Sequence, residues 1–552
     1  MYRQAVLAEM WRLASLLDRN PHSHTRGSFS RIHWAWKFGD FPFPRLQEAV
    51  YALARLHDLP GDDNPFYHSE AVARWLGWGF DYWATLQHRN GSFDEAYPFE
   101  QCLAATAFTS FYLGSAYLLW KDRLGARRRA RLERAFARAG DWLCGNDETH
   151  GLLSNHLAAA VAALEVLARV CRREEFSWRA RFFLARILRH QSAEGWFREY
   201  DGADIGYGTH GFFYLAVYWK LTGCPETLDA LRRCARFLAY FVHPDGTIGG
   251  EYGSRNTEFY YPAGFELLAG HCPSSAAIAA HLRESIRQRR VCGVWGVDLF
   301  NFLPMLNNLF FALDAEGPLE APPLPWQLPP FQRYFEECGL WVVNEERYYA
   351  VVGLSKGGTV SVFDKRRRCL AGRHGGLVCR RGKTAYTSQD YTLAPEVAWS
   401  SDRPEASLTV PWKILKVPVF SPPLFLAFRL FTLTLGRFPA VSRWVKDLLV
   451  AVLIRRKSRP AITHRRTLRA GPTSIVIEDV LTLPGGVEWV EAVEQFTAIH
   501  MGSSMYCDIR SVGPGTGVVP FAGKDELRLR GVVGIDGTTW EEQNRPARAA
   551  AA

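Results

Sequence analysis

Apolar residues recur every three or four positions from Leu46 to about Leu313. This spacing is that of amphipathic helices, and Gly, Pro and Asn separate one helical stretch from the next. No clear strand pattern falls between them. Because the stretches pair regularly at a repeat of roughly 45–60 residues, an α/α toroid or solenoid is favoured over a compact bundle.

The pattern changes after a proline-rich stretch at residues 315–330, which reads AEGPLEAPPLPWQLPP. Proline fixes φ and removes backbone donors, so this stretch predicts a stiff linker. Beyond it, apolar and polar residues alternate in runs bounded by Gly or Asn, which is typical of antiparallel strands. The predicted fold class is therefore α+β. An incomplete (α/α) toroid is predicted at residues 1–314 and an antiparallel β-sandwich at residues 331–535.

One insert interrupts the alternating pattern at residues 410–459. It is strongly apolar, carries basic residues at intervals and contains no uninterrupted run long enough to span a membrane. It is interpreted either as a basic amphipathic pair of helices in peripheral contact with an anionic membrane, or as an insert folded against the sheets. The last residues, 536–552, are predicted to form a disordered tail.

Composition and charge point to an anionic partner. The net charge is +10 and lies mostly on Arg, while aromatic residues make up 14 % of the chain, including 19 Trp. These values suit an acidic polysaccharide, and no nucleic-acid motif is present. The 11 Cys lack metal-type spacing and are expected to be free thiols. With no legible signal peptide, a cytoplasmic or inner-membrane-associated location is favoured over a secreted one.

A short phrase recurs between the predicted helices, at residues 90–97, 194–200 and 245–252, with a looser relative at 150–156. Each copy has a polar residue, a Gly and then a carboxylate or amide near an aromatic ring or His. The copies are predicted to be loops on one rim of the toroid, with that rim as the working face. Glu95 and Glu199 are expected to brace the loops, and Glu95 and Trp196 are also predicted to contact substrate.

The candidate chemistry lies where the copies differ. No phosphate-binding loop, nucleotide fingerprint or metal motif is present, so no cofactor and no metal are predicted. Asn155 and His156 open a helix, where Asn could equally be a helix cap. Tyr207 and His210 lie in a Gly-rich loop before a helix, where the alternative is an elaborate turn. All four are predicted to be catalytic.

A second group of candidates is predicted from two other stretches. Tyr252, Arg255 and Asn256 lie beside a Gly pair and resemble an anion clamp, the alternative being a solvated turn. In the sheet region, Arg373 and His374 stand among other Arg residues, which favours an anionic site facing the helical rim. Tyr252 and His374 are taken as catalytic, and the other three as substrate-binding.

This layout and these motifs resemble the heparinase II/III and alginate lyase superfamily, over roughly residues 45–500. The similar features are the helix start SNHLAAAVAALEVL, the DG…GY…H loop, the His before a glycine-rich strand, and HRRTLRAGPTSIVIEDVL at 464–481. Two features depart from it. Tyr207 and His210 are separated by two residues instead of being adjacent, and His374 is followed by two Gly instead of the His-x-Asp pattern.

The resemblance implies a metal-independent polysaccharide lyase that acts on a uronate-containing polymer. The C5 proton of a uronate is weakly acidic, so its removal requires neutralisation of the adjacent carboxylate. Asn155 with Arg255 or a sheet-domain Arg would supply this. Tyr207 or His210 would remove the proton, and a cationic pocket would lower the pKa of a tyrosine base.

Tyr252 or His374 would then protonate the departing 4-oxygen, completing β-elimination. Return of the proton to the opposite face would instead make the protein a C5-epimerase. A non-catalytic protein that binds an acidic glycan in a bacterial exopolysaccharide system is a further alternative. A glycoside hydrolase would need paired carboxylates across the cleft, for which Glu95, Asp204 and Glu251 are the candidates.

Overall fold

The computed structural model describes most of the 552 residues. The described residues are 1–148, 153–200, 202–393, 395–400, 402–415, 420–438, 441–442, 444–445, 461–494, 498, 518–520 and 526–543.

Within these residues the first half is helical. The helices are α1 (Tyr2–Ala8), α2 (Met10–Leu16), α3 (Arg31–Trp34), α4 (Ala49–Asp58), α5 (Glu70–Leu86), α6 (Leu103–Trp120), α7 (Ala126–Gly145), α8 (Ser154–Cys171), α9 (Glu174–Arg189), α10 (Ile205–Thr222), α11 (Pro225–Ala239), α12 (Ala263–Leu268), α13 (Pro273–Arg287) and α14 (Leu299–Ala315). The even-numbered helices from α4 to α14 contact one another in turn, and α14 returns to α4, so they form a closed inner ring. The five odd-numbered helices from α5 to α13 form an outer layer, and the short α1 lies beside α14.

Burial explains which helices are inside. In the inner helices α6, α8 and α10 nearly every residue is buried, as expected for helices that are apolar all round. The outer helices α7, α9 and α11 bury one stripe and expose Arg and Glu on the other side. Helix α8 is long and apolar enough to cross a membrane by composition, but 78 % of it is buried inside this domain.

The recurring loop phrase forms the same turn three times. Gly91, Gly195 and Gly246 all have positive φ (98°, 106° and 88°), a conformation that favours Gly. In the first two copies a glutamine side chain, Gln87 or Gln191, donates both to the carbonyl of the turn Gly and to a carbonyl of the next outer helix. In these two copies the glutamine therefore links the turn to the next helix of the outer layer.

The second half is antiparallel sheet. Its strands are β1 (Phe331–Phe335), β2 (Leu340–Asn344), β3 (Tyr348–Gly353), β4 (Thr359–Asp364), β5 (Cys369–His374), β6 (Gly376–Arg381), β7 (Thr384–Thr387), β8 (Val397–Ser400), β9 (Glu405–Thr409), β10 (Lys413–Ile414), β11 (Thr463–Ala470), β12 (Ser474–Thr482), β13 (Val487–Val493), β14 (Val518–Pro520), β15 (Glu526–Gly534) and β16 (Gly537–Glu542). They form three sheets, ordered β1-β2-β3-β4-β5, β10-β7-β6-β13-β14 and β16-β15-β12-β11-β9-β8.

The first sheet has protein on both faces, which explains why strand β2 (LWVVN) is buried throughout. Trp341 and Val343 pack with residues of β9, β11 and β12 in the sandwich core. Leu340 and Val342, which point to the other face, belong to the core of the helical domain. The two domains therefore share a continuous apolar interface.

The predicted fold class is confirmed, and the helical and sheet regions meet within the predicted linker, where a 3₁₀ turn (Pro325–Gln327) precedes β1. One prediction is wrong. The chain is not disordered from Asp536, because strand β16 pairs with β15 from Gly537 to Glu542; the rest of that predicted tail, 544–552, lies outside the described residues.

Within the predicted insert, Lys413–Ile414 pairs with β7 and a helix α15 (Pro422–Leu433) follows. Much of the predicted second helix of the insert, at 439–440, 443 and 446–459, lies outside the described residues.

Candidate functional site

A cavity of about 500 Å³ opens on the helical domain where the inner helices begin. It is lined by the first turns of α8, α10 and α14, by α6, and by loops from the N-terminal segment and the first phrase copy. The residues that line it are Ser30, Ile32, Gly39, Asp40, Phe41, Phe43, Arg45, Leu46, Glu95, Ala96, Phe108, Asn155, His156, Tyr207, His210, Phe259, Tyr261, Leu299, Phe300 and Asn301. Three helices thus begin at the cavity, and N–H groups of their first turns donate to the carboxyl groups of Glu199, Asp204 and Asp298.

Asn155 is held in place by Glu199, which belongs to the copy of the recurring phrase at residues 194–200. Its backbone N–H and its side-chain Nδ2 both donate to the Glu199 carboxyl group, each at 2.7 Å. An amide has two N–H hydrogens, and the described contacts use one of them. Burial raises the pKa of Glu199 to about 8, even though both bonds from Asn155 and the charge of His156 lower it. The prediction that Glu199 braces its loop therefore agrees with the contacts.

The charged form of His156 is favoured by neighbouring carboxylates. Its Nδ1 lies 2.8 Å from Glu148 Oε2, so the ring donates to that carboxylate. Burial lowers the pKa of His156, but the hydrogen bond and charge of Glu148, with the charges of Glu95 and Glu199, raise it above its usual value. Nε2 has no other described partner and belongs to a ring that lines the cavity.

Arg45 supplies a second positive charge. Its Nε donates to Glu48 and its Nη1 to Glu95, each at 2.9 Å, and its guanidinium lies 4.3 Å from the centre of the Phe108 ring. Burial raises the pKa of Glu48 to about 7, whereas Arg45 and His156 hold the pKa of Glu95 below its usual value against the effect of burial. Glu95 accepts this guanidinium bond and one from the Cys102 thiol.

Tyr207 and His210 lie one turn apart on α10 and both line the cavity. The His210 ring is stacked between Phe108 (5.5 Å between ring centres) and Tyr261 (4.2 Å), and its Nε2 lies 3.2 Å from the Tyr214 hydroxyl. Burial lowers the pKa of His210 well below its usual value, and the charges of Arg45 and His156 add to this, so the ring is neutral at pH 7.

Tyr207 is half-buried, with its ring edge-on to Phe259 at 5.5 Å. Its backbone N–H is bonded to Asp204 Oδ1 and Thr257 Oγ1, which caps α10 and fixes the first turn. Of the predicted site residues, the structure therefore brings Asn155, His156, Tyr207, His210 and Glu95 together at one cavity.

Sequence reasoning missed Arg45, Tyr261 and Phe108. The first lies in an aromatic and proline-rich segment whose pattern predicts only irregular structure. The other two occur inside apolar stretches, where an aromatic residue is indistinguishable from the core.

Two predicted residues lie inside the protein, away from the cavity. The Tyr252 hydroxyl is 2.8 Å from His243 Nε2, and its Cα and Cβ lie close to Gly353 of the first sheet; burial raises its pKa well above the usual value. Trp196 is 5 % exposed, and its Nε1 donates to Glu194. Both are enclosed by packing, so the structure does not bring the predicted catalytic Tyr252 or the predicted substrate-binding Trp196 to the cavity.

The predicted anion clamp does not line the cavity either. The Arg255 guanidinium lies 3.6 Å from the centre of the Tyr200 ring, and its backbone N–H donates to Asp204. Asn256 is 3 % exposed and has a φ of 60°. The two residues form a tight turn over the start of α10, which corrects their predicted role.

The sheet-domain candidates are also structural. Arg373 lies between Glu251 (3.5 Å) and Glu258 (3.3 Å), so it joins the sheet domain to the helical domain. His374 Nε2 accepts a hydrogen bond from Arg466 at 3.0 Å. Because the ring is buried beside this cation, the pKa of His374 lies well below its usual value. Neither residue faces the cavity.

Within the described residues, no three His, Cys, Asp or Glu side chains are grouped so that they could hold a metal ion.

Residues 40–281 match the family described as the ulvan lyase N-terminal domain. No curated protein sequence matches the chain.

Two solved structures share its fold. Chondroitin AC lyase of Streptomyces coelicolor A3, in complex with chondroitin sulphate, superposes with a TM-score of 0.56 at 13 % identity; the match covers 89 % of this chain and 68 % of that one. A Paenibacillus xanthan lyase also has a TM-score of 0.56, at 9 % identity, covering 89 % of this chain and 46 % of that one. The protein therefore has the α/α-toroid and β-sandwich fold of polysaccharide lyases, and the resemblance predicted from its motifs is confirmed at that level.

Proposed function

We propose that the protein is a polysaccharide lyase that cleaves an acidic, uronate-containing polymer by β-elimination. The observation that carries this proposal is the convergence of Arg45, Asn155, His156, Tyr207 and His210 on one cavity. The matched family and the two similar structures are named as lyases of ulvan, chondroitin and xanthan, which supports the same reaction class.

The cavity has the charge that a uronate needs. Arg45 and His156, whose neighbours favour its charged form, line it, and the described contacts of Asn155 use only one of its two amide hydrogens. Positive charge and N–H donors at the uronate carboxylate stabilise the negative charge that develops there when the C5 proton leaves. In this proposal His156 takes the neutralising role predicted for Arg255 or a sheet-domain Arg.

Tyr207 is the better candidate for the base. His210 is neutral, but its pKa is well below the usual value and its Nε2 is engaged by Tyr214, so it accepts a proton weakly. Tyr207 lines the same cavity and is less buried than His210.

In the reaction, the C5–H bond breaks, Tyr207 takes the proton, and the electron pair is delocalised into the uronate carboxylate. This pair forms the C4=C5 double bond as the C4–O bond breaks, and the departing oxygen takes a proton from Tyr207 or from protonated His156. Tyr252 and His374, the acids predicted from the sequence, lie outside the cavity.

A glycoside hydrolase is less well supported. Of its three candidate carboxylates only Glu95 lines the cavity, and it is paired with Arg45. Asp204 accepts backbone hydrogen bonds under α10, and Glu251 lies beside Arg373 between the domains. A C5-epimerase remains the second candidate, because it would use the same base and the same neutralising groups.

The test is incubation with ulvan, chondroitin sulphate, xanthan, alginate, hyaluronan and heparan sulphate. A lyase produces new ultraviolet absorbance from the unsaturated uronate. Deuterium uptake from solvent at C5 without that absorbance would indicate epimerisation. Binding to a polymer with neither signal would identify a non-catalytic glycan-binding protein and contradict the proposal.

The identity of the base is tested with two variants. Tyr207→Phe should lower kcat by about 100-fold or more, the usual contribution of a general base. His210→Phe keeps an aromatic ring between Phe108 and Tyr261 and should lose less activity than Tyr207→Phe. Tyr67→Phe, at an exposed ring elsewhere on the helical domain, is the control. The reverse order of the two losses would assign the base to His210.

A further inference from the structure

Helix α15 belongs in sequence to the sheet domain but lies against the helical domain beside the cavity. Arg429 forms an ion pair with Asp40, with Nη2 3.0 Å from Oδ1, and its guanidinium lies 5.4 Å from the centre of the Phe41 ring. Phe428 packs edge-on against Tyr97 at 5.1 Å. Because Asp40 and Phe41 both line the cavity, α15 forms part of its rim.

Most other residues of α15 are apolar and exposed to water. Leu426 and Leu430, one turn apart, are 70 % and 65 % exposed, and Leu433 continues the same stripe. Leu435 and Phe438 extend the exposed surface beyond the helix. Contiguous exposed apolar surface of this kind marks a contact with a partner or a membrane.

The segment of the helical domain that holds Asp40 adds to this surface. Trp36 and Phe38 precede Asp40 in the chain, and Phe38 is 90 % exposed. Aromatic rings with one wet side are favoured at the boundary between water and lipid. The exposed apolar residues thus come from both domains and adjoin the same ion pair.

The charge of the residues that follow α15 in the sequence favours one kind of partner over the others. Residues 434–460 contain seven Arg or Lys residues and a single acid, Asp447. Basic residues next to exposed Leu, Phe and Trp are the signature of a helix that lies on an anionic membrane. A second copy of the chain would bring the same positive charges together, so a dimer through this face is disfavoured.

The length of the helix decides how it would bind. Helix α15 has 12 residues, whereas crossing the hydrocarbon core takes about 20. It also stays joined to the helical domain through Arg429 and Phe428. We propose that α15 is a membrane-docking helix that lies flat on an anionic bilayer and holds the cavity rim beside the lipid surface. This proposal does not depend on the reaction that the cavity performs.

The test is co-sedimentation of the full-length protein with phosphatidylcholine vesicles, with and without phosphatidylglycerol. The unchanged protein should sediment with the anionic vesicles, and added salt should release part of it. The double variant Leu426→Glu/Leu430→Glu should bind at least about tenfold more weakly, because two side chains no longer enter the apolar layer. Both residues are exposed, so the variant should keep the thermal unfolding midpoint of the unchanged protein.

The matched control is Trp178→Glu/Phe182→Glu, which changes two exposed apolar residues on α9. It should bind the vesicles as the unchanged protein does. Equal sedimentation of the α15 variant, or no binding of the unchanged protein to either vesicle, would overturn the proposal. So would a dimer that the α15 variant dissociates without any effect of vesicles, since the face would then join two copies of the chain.

Discussion

Two histidines line the same cavity and have opposite pKa shifts, because their neighbours differ. Both are buried, which disfavours the charged form of each. His156 donates to Glu148, and this carboxylate outweighs burial. His210 has aromatic rings on both faces and the positive charge of Arg45 nearby. The surroundings of His156 therefore favour a charged ring that can hold an anion, whereas His210 is a neutral ring packed between aromatic side chains.

Glu148→Gln should therefore change the pH dependence of activity. Without the carboxylate the pKa of His156 falls, and the imidazolium is lost at a lower pH. The alkaline limb of kcat/KM should move to lower pH by about one unit. The measurement is a pH profile of the rate of new ultraviolet absorbance. Glu541→Gln, at an exposed carboxylate on β16, should leave the profile unchanged, and an unmoved limb in Glu148→Gln would refute the role of His156 as a cation.

Some of the residues that line the cavity could be predicted from the sequence. The sequence predicts Asn155, His156, Tyr207 and His210 as site residues because they stand where the copies of the recurring phrase differ. A turn alone does not require such side chains at these positions. His374 could not be excluded from the sequence, because its partner Arg466 lies 92 residues away. Arg45 could not be predicted, because no local pattern shows that it pairs with Glu95, which lies 50 residues later in the chain.

Among the structural elements, the turn that each copy of the recurring loop phrase forms is determined by its backbone conformation. Gly195 has a φ of 106°, and a Cβ there would lie 2.5 Å from the carbonyl oxygen of Arg233. That oxygen belongs to helix α11, so it cannot move aside as a side chain can. The Arg233 guanidinium in turn donates to Gln191, whose amide holds the carbonyl of the same glycine.

Gly195→Ala should therefore destabilise the helical domain by about 1–3 kcal/mol, through both the clash and the unfavourable φ. Chemical denaturation followed by circular dichroism measures the change. Gly270→Ala is the matched control, because nothing lies within 4 Å of a Cβ there and its φ is not positive. Equal stability of the two variants would show that the turn tolerates a side chain.

Hydrophobic periodicity predicted the helices and most of the long strands, since burial of one face or stripe is a local property of the sequence. It did not predict strand β16, which is rich in polar residues and is held by pairing with β15. It also did not show that α15 leaves the sheet domain to pack beside the cavity. That contact depends on Asp40, which lies 389 residues before Arg429.

The whole molecule contains buried ionisable groups whose effects on stability oppose one another. The carboxyl groups of Glu48, Glu199 and Glu258 have pKa values raised by burial to about 7, 8 and 7, from 4.5. Each contributes stability that is complete below pH 4.5 and is lost as the pH rises through its folded value. Buried His210 and His374 have lowered pKa values, so their contribution is present above 6.5 and lost as the pH falls.

Between pH 6.5 and 8 the contribution of His210 and His374 is constant, while the three carboxyl groups, and His156 with its raised pKa, should each make the stability decline. Glu199→Gln should make that decline shallower, because a neutral amide replaces the group that titrates near pH 8. The free energy of unfolding, measured in urea at intervals across this range, tests the expectation. Glu541→Gln is again the control, since its carboxylate is exposed. An equally steep decline in Glu199→Gln would mean that Glu199 is already ionised in the folded protein, which would contradict the effect of burial on its pKa.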